Sequence, residues 1–279
     1  MKAFFLALVL VAGAHAETQT DIEYARIGGV VLKLDLHRPQ AVNPPLIVYV
    51  HGGAWRAGSK SDVPIAALLD HGFAIASVDY RLSTQAVFPA QIHDIKAAIR
   101  FLRAKAAEFR LNTKKIAIIG SSAGGHLAAL VGVTNGHKVL EGRIGEHLDQ
   151  NSRVNAIVSF YGASNLQSIL AQSTEFGLTV RIPALKLLLG DVPEKKPELA
   201  KLASPVAHLD KSDPPLLLIH GDADPQMPPE QSREFVRACT ALKLRAKLVV
   251  LPGSRHGGEE FYDDERSRLV AAFLNEALR

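Results

Sequence analysis

The chain reads as an α/β protein: a mostly parallel central sheet with helices on both faces and an antiparallel hairpin at its N-terminal edge. Three observations carry that expectation. Short, continuous apolar runs ("LIVYV", "FAIASV", "KIAIIG", "VNAIVSF", "PPLLLIH") have the length and branched content of strands buried on both faces. Helically spaced stretches separate them, which is the alternation a parallel sheet needs for its crossovers. The opening "IEYARIGGVVLKLDLHRP" alternates around Gly28-Gly29 and stops at Pro39, as a hairpin does.

In chain order, the hairpin leads to the strand Leu46–Val50, which ends in His51-Gly52-Gly53. "IAALLDHG" reads as helical and stops at Gly72, and "FAIASVDY" follows as a strand. "FPAQIHDIKAAIRFLRAKAAEF" is a helix: Pro89 suits its start, and Ile92, Ile95, Ile99 and Leu102 keep one face apolar. "KIAIIG" is a strand, "AGGHLAALVGV" a helix, and "VNAIVSF" and "PPLLLIH" further strands. "EQSREFVRACTALK" is a helix, "AKLVVL" a strand, and "ERSRLVAAFLNEALR" an amphipathic closing helix. Between Phe160 and Pro214 the alternation breaks into pieces such as "IPALKLLLG". This predicts a helical insertion at about 164–202, either a lid or a plain excursion.

Composition narrows the function. The 279 residues are 47% apolar and 22% charged, with a formal net charge of +4. The basic residues are scattered, with no basic helix face and no aromatic-basic interleaving, so no nucleic-acid partner is expected. Metal-ligand spacings of His and Cys are absent, so no metal or cofactor is expected. Cys239 is the only cysteine, which excludes an internal disulfide; in "EFVRACTALKL" it reads as a structural residue on a helix.

The first sixteen residues stand apart. "MKAFFLALVLVAGAHA" has Lys2, an apolar run from Ala3 to Val11, and the A-x-A pattern Ala14-His15-Ala16. It reads as a cleaved signal peptide rather than a buried strand or helix, leaving 17–279 as one domain in the periplasm or the medium. The run is too short to span a bilayer and no later segment reaches spanning length, so stable membrane insertion is not expected.

Ligands of an open parallel sheet bind beyond the C-terminal ends of its strands. There the sequence places His51-Gly52-Gly53-Ala54-Trp55, Asp79-Tyr80-Arg81, Gly120-Ser121-Ser122-Ala123-Gly124, His220-Gly221-Asp222-Ala223-Asp224 and Gly253-Ser254-Arg255-His256-Gly257. Gly120-x-Ser122-x-Gly124, after a strand and before a helix, matches a nucleophile elbow; alone it would also suit a tight turn. The order Ser, Asp, His that follows favours the elbow. A serine hydroxyl needs a base, and the base needs a carboxylate. His256, on a Gly-rich loop after the last strand, is the best base. Asp224, further out past its strand than Asp222, is the best carboxylate; Asp222 suits the capping of turn N–H groups. The remaining histidines read as structural, with His51 bracing its loop and His220 bonding within its turn. Gly52, Gly53 and Ala123 can offer backbone N–H groups to an oxyanion. Trp55, the only tryptophan, either lines a substrate pocket or anchors its loop.

With these residues in view, "HGGAWRAGSK", "DYRLS", "FPAQIHDIKAAIRFLR", "GSSAGGHLA", "ASPVAHL", "PPLLLIHGDADPQMPPEQS" and "GSRHGG" resemble the α/β-hydrolase superfamily. Within it they are most similar to hormone-sensitive-lipase-like carboxylesterases of the bacterial feruloyl and acetyl-xylan esterase branch. The resemblance covers nearly the whole of 17–279. It implies an α/β-hydrolase fold, a Ser122, Asp224, His256 triad, an oxyanion hole at Gly52, Gly53 and Ala123, and hydrolysis of a small or polysaccharide-linked ester without a cofactor. Two departures, Ala54 in place of the third glycine of "HGGG" and a short stretch before the first strand, imply an open cleft rather than a deep lipid pocket. An amide hydrolase of the arylformamidase or small peptidase kind, and a non-catalytic binding module on the same fold, are the alternatives.

Overall fold

The computed structural model describes residues 17–279; the expected signal peptide, 1–16, lies outside the described residues. Among the described residues, eight strands form one sheet: β1 (Glu17–Ile27), β2 (Val30–Arg38), β3 (Pro45–Val50), β4 (Ala74–Val78), β5 (Asn112–Ser121), β6 (Ala156–Phe160), β7 (Leu216–Gly221) and β8 (Ala246–Leu251). Their spatial order is β1-β2-β4-β3-β5-β6-β7-β8. The pairs β1–β2 and β2–β4 are antiparallel and all the others are parallel. The expected edge hairpin is therefore present, and it starts at Glu17, five residues before its alternation becomes legible.

Seven α-helices complete the fold of the described residues: α1 (Ala90–Ala104), α2 (Ala123–Gly132), α3 (Ile169–Gln172), α4 (Glu175–Leu189), α5 (Pro197–Leu202), α6 (Glu230–Ala241) and α7 (Asp264–Ala277). Alternate residues of the central strand β3 feed two separate cores. Leu46, Val48 and Val50 pack with the apolar face of α1 and with α2 and α6. Ile47 and Tyr49 pack on the other face with Val270, Ala271 and Leu274 of α7. Period-2 strands between period-3.6 helices thus bury both sheet faces, which is why the strand runs show no polar alternation. Among the described residues, no helix is long and apolar enough to cross a membrane.

Two local expectations change. "IAALLDHG" forms only a four-residue 3-10 turn, Ala66–Leu69, because the segment is pinned between Pro64 and the strand entry at Phe73. The helix suggested by "IPALKLLLG" begins earlier, at Glu175. Thr174 caps it by accepting from the Gly177 N–H (2.9 Å), Pro183 sits inside it, and Gly190 ends it in the left-handed conformation (φ 85°).

Candidate active site

β3, β5, β6, β7 and β8 all run the same way, so their C-terminal ends open onto one rim. At the end of β5 the chain reverses sharply into α2, and Ser122 holds the turn with φ 55° and ψ −117°. A non-glycine residue rarely adopts this backbone, and at a strand-to-helix turn it lifts the hydroxyl clear of the sheet. The flanking glycines make the turn possible. A Cβ on Gly120 would lie 2.2 Å from the Gly124 carbonyl oxygen, and one on Gly124 would lie 2.0 Å from that of Val50. The Ser122 N–H donates to the Phe160 carbonyl (2.9 Å), which ties the turn to β6.

Ser122, His256 and Asp224, far apart in sequence, meet in one hydrogen-bonded chain. Ser122 Oγ lies 2.8 Å from His256 Nε2, and His256 Nδ1 lies 2.6 Å from Asp224 Oδ2. The carboxylate only accepts, so Nδ1 carries the proton and Nε2 presents its lone pair to the serine O–H. Asp224 is held from every side: Oδ1 accepts from the N–H groups of Gln226 (2.8 Å) and Met227 (2.9 Å), and His220 Nε2 stands 3.3 Å from Oδ2. Burial acts to raise this carboxyl. The hydrogen bonds from His220 and His256 and the Met227 N–H outweigh it and hold the group well below the usual carboxylate range. Asp222 instead accepts from the Gly253 N–H (2.7 Å), capping the loop after β8 rather than its own turn.

Gly52 and Gly53 line the same cavity as Ser122 and His256, and a Cβ on Gly52 would sit 3.5 Å from that of Ser122. Ala123 follows Ser122 as the first residue of α2, where the helix N-terminus leaves its N–H without an intrahelical acceptor. Among the described residues, the N–H groups of Gly52, Gly53 and Ala123 donate to no protein acceptor. His51 does brace its loop: Nδ1 is 2.9 Å from the Gly52 carbonyl, and the ring stacks on Tyr80 with centroids 4.5 Å apart.

Trp55 does not touch the cavity. It is 0% exposed, it is absent from the lining, and its Nε1–H donates to His126 Nδ1 (3.1 Å). His126 in turn donates through Nε2 to the Ala203 carbonyl (2.6 Å), so both ring nitrogens are used. The pocket-lining role is therefore corrected to the anchoring one: an indole whose only polar atom is satisfied in the core ties the "HGGAW" loop to α2. His220 reaches beyond its turn, to Ser232 Oγ (2.7 Å) and the Met227 carbonyl (3.0 Å) as well as to Asp224. Cys239 is buried, and burial pushes its thiol up to about 11, as suits a structural residue.

Two groups of cavity residues escape the sequence motifs. Tyr49 donates to Ser121 Oγ (3.2 Å), which lies 2.7 Å from the Tyr262 hydroxyl, itself 2.5 Å from that of Tyr161. Tyr161 also packs edge-on against His256 at 4.8 Å. A tyrosine inside the apolar run "LIVYV" was the one available hint; nothing local marks Tyr262. The other group is Val180 and Arg181 of α4, which form the wall facing the strand ends. The insertion therefore builds one side of the cavity, whose volume is about 520 Å³.

Comparison with known proteins agrees with this architecture. The BD-FAE family model matches residues 34–239, and the chain belongs to that family. It is 31% identical to Esterase LipC of Mycobacterium tuberculosis, over 84% of this chain and 59% of that protein. It is 30% identical to Esterase LipQ of the same organism, over 99% of this chain and 66% of that protein. The chain thus spans less than two thirds of the length of these relatives. Among solved structures, a truncated carbohydrate esterase from gut microbiota superimposes with a TM-score of 0.86 at 31% identity, covering 95% of this chain and 97% of that one. An esterase from Thermogutta terrifontis, solved with propionate bound, gives a TM-score of 0.75 at 27% identity, covering 94% of both chains.

Proposed function

From its place in the BD-FAE family and the geometry of its site, we propose that this protein is a serine carboxylic-ester hydrolase. The hydrogen-bonded chain Ser122–His256–Asp224 carries the reading. Ser122 Oγ attacks the ester carbonyl carbon as His256 Nε2 takes its proton. Asp224 holds the imidazole in the required tautomer and stabilises the imidazolium. The negative charge that develops on the carbonyl oxygen is met by the N–H groups of Gly52, Gly53 and Ala123; loss of one such donor costs about 2.7–4 kcal/mol in other serine hydrolases. The imidazolium gives its proton to the departing alkoxide. Water, activated by the same histidine, then releases the acid from the acyl-serine. No step requires a metal or an organic cofactor.

The substrate is an acetyl or feruloyl-type ester on plant polysaccharide, met after export as a mature chain from Glu17. Support for the sugar-linked ester comes from the likeness to a carbohydrate esterase, and support for export from the signal-like residues 1–16. The test is kcat/KM on p-nitrophenyl acetate, a longer p-nitrophenyl ester, methyl ferulate and N-formylkynurenine, with Ser122→Ala alongside. Turnover of short acyl or feruloyl esters that disappears in Ser122→Ala is the expected result. Faster turnover of the formamide than of every ester would replace the reading by an amide hydrolase. Failure of Ser122 to label with a fluorophosphonate, together with no turnover, would leave a binding module.

A further inference from the structure

Arg181 is a buried, charged cavity residue whose chemistry the proposed reaction does not use. It is 1% exposed, yet it lies in the cavity wall with Ser122 and His256. One guanidinium nitrogen, Nη2, donates to the Gln226 carbonyl (3.2 Å). Nε and Nη1, with three N–H bonds between them, have no hydrogen-bond partner among the described residues. One side of the group is covered by Trp55, whose ring centroid is 5.9 Å from Cζ. No carboxylate lies within ion-pair distance of it among the described residues. Asp224 is near enough to be felt, but its oxygens already serve Gln226, Met227, His256 and His220.

A buried cation with unmet donors is costly, and a carboxylate is the group that answers it best. One oxygen can pair with a free N–H of Nε or Nη1, a bidentate contact additionally uses the second N–H of Nη2, and the desolvated pair is stronger than it would be in water. Burial lowers the guanidinium only to about 10, so it stays charged at neutral pH. The other charged side chains on the cavity wall are Arg56, which adds to the positive field, and Asp62, which opposes it.

We propose that Arg181 determines specificity by binding a carboxylate carried by the ester substrate. This rests on the ester-hydrolase reading and restricts its substrate to esters that carry a carboxylate, whichever side of the scissile bond bears it. An acetyl ester on an acidic sugar would present the carboxylate on the alcohol part; a half-ester of a dicarboxylic acid would present it on the acyl part. The fold supplies the residue from the insertion, not from the sheet, so the reacting groups and the selecting group sit on different elements.

Two pairs of isosteric esters test this by pH-stat hydrolysis. O-acetylglycolate against isobutyl acetate places the charge on the alcohol; monoethyl succinate against ethyl 4-methylpentanoate places it on the acyl part. In each pair a carboxylate replaces an isopropyl group. The expected result is a kcat/KM at least about tenfold higher for the charged member of one pair, as a charge-assisted bidentate contact supplies. That ratio should fall toward one in Arg181→Met and be partly kept in Arg181→Lys. Because both members of a pair meet the same enzyme, the ratio is independent of the fraction of variant that folds. Preference for the neutral member in both pairs, or an unchanged ratio in Arg181→Met, would overturn the proposal. Calorimetric binding of the same four compounds to Ser122→Ala gives the ratio without turnover. A charged preference in binding with no hydrolysis by wild type would keep the anion site and remove the hydrolase reading.

Discussion

The two walls of the cavity are built differently. On the sheet side, backbone meets backbone. A Cβ on Gly124 would strike the Val50 carbonyl, and one on Gly221 would come within 2.2 Å of the Ser254 carbonyl, where the Asp224 and His256 loops cross. On the insertion side, side chains add many of the ties, beside backbone bonds such as that from the Phe88 N–H to the Leu188 carbonyl (2.8 Å). Thr174 Oγ1 donates to the Pro225 carbonyl (2.8 Å), and Glu234 of α6 accepts from Asn165, Ser168 and Gln172. Ser122, His256 and Asp224 stand on the first wall and Arg181 on the second. Reacting atoms must be held within a few tenths of an ångström, which close backbone packing provides. A wall tied largely by side chains can vary without disturbing the sheet, which fits the selecting role proposed for Arg181.

This contrast can be broken from either side. The largest effect is expected at Asp224→Asn: the amide misorients His256, and kcat/KM should drop by about 10⁴-fold. Asp222→Asn, which touches only the Gly253 N–H, should stay within about threefold. Steady-state kinetics on one ester decides, and equal losses would mean that the carboxylate has been misassigned. Next is Gly124→Ala, whose methyl would collide with immovable backbone. A loss of about 3 kcal/mol or more in urea unfolding is expected, and a loss below about 1 kcal/mol would show that the elbow can relax.

The third prediction concerns pH. Burial holds His126 neutral in the fold, its value lowered to about 4 from an ordinary 6.5. Between those values the unfolded chain binds the proton and the folded chain does not. The stability is therefore full above pH 6.5 and is lost as pH falls toward 4, by at most about 3 kcal/mol. The urea midpoint of wild type should fall across that window, and more shallowly in His126→Gln; parallel slopes would exclude the histidine as the cause. The smallest effect belongs to the insertion. Glu234→Gln turns one acceptor into a donor facing donors, so KM for a bulky ester should rise about threefold while kcat stays within about twofold. A kcat loss as large as that of Asp224→Asn would erase the distinction between the walls.

Much of this was legible because the signals are local. Strand runs, the helix period of Ile92, Ile95, Ile99 and Leu102, and the elbow Gly120-x-Ser122-x-Gly124 each depend on neighbours in sequence. The choice of Asp224 over Asp222 followed from its distance past the strand end, and the two carboxylates do take separate partners. Trp55 stays open in the sequence for the opposite reason. Whether an indole faces a cavity or the core depends on what packs against it, and His126, 71 residues on, was invisible from "HGGAW". Arg181 and Tyr262 carry no motif, since their neighbours in space come from other strands and loops.

By itself, then, the sequence determined the parallel sheet, the sharp turn at Ser122 and the identity of the residues at the strand ends, because period, residue volume and turn chemistry act over a few residues. Only the tertiary structure decided which of those residues touch, which wall the insertion forms, and which polar groups remain unpaired. Burial and hydrogen-bond satisfaction are properties of contacts between distant segments, and no short stretch of sequence contains them.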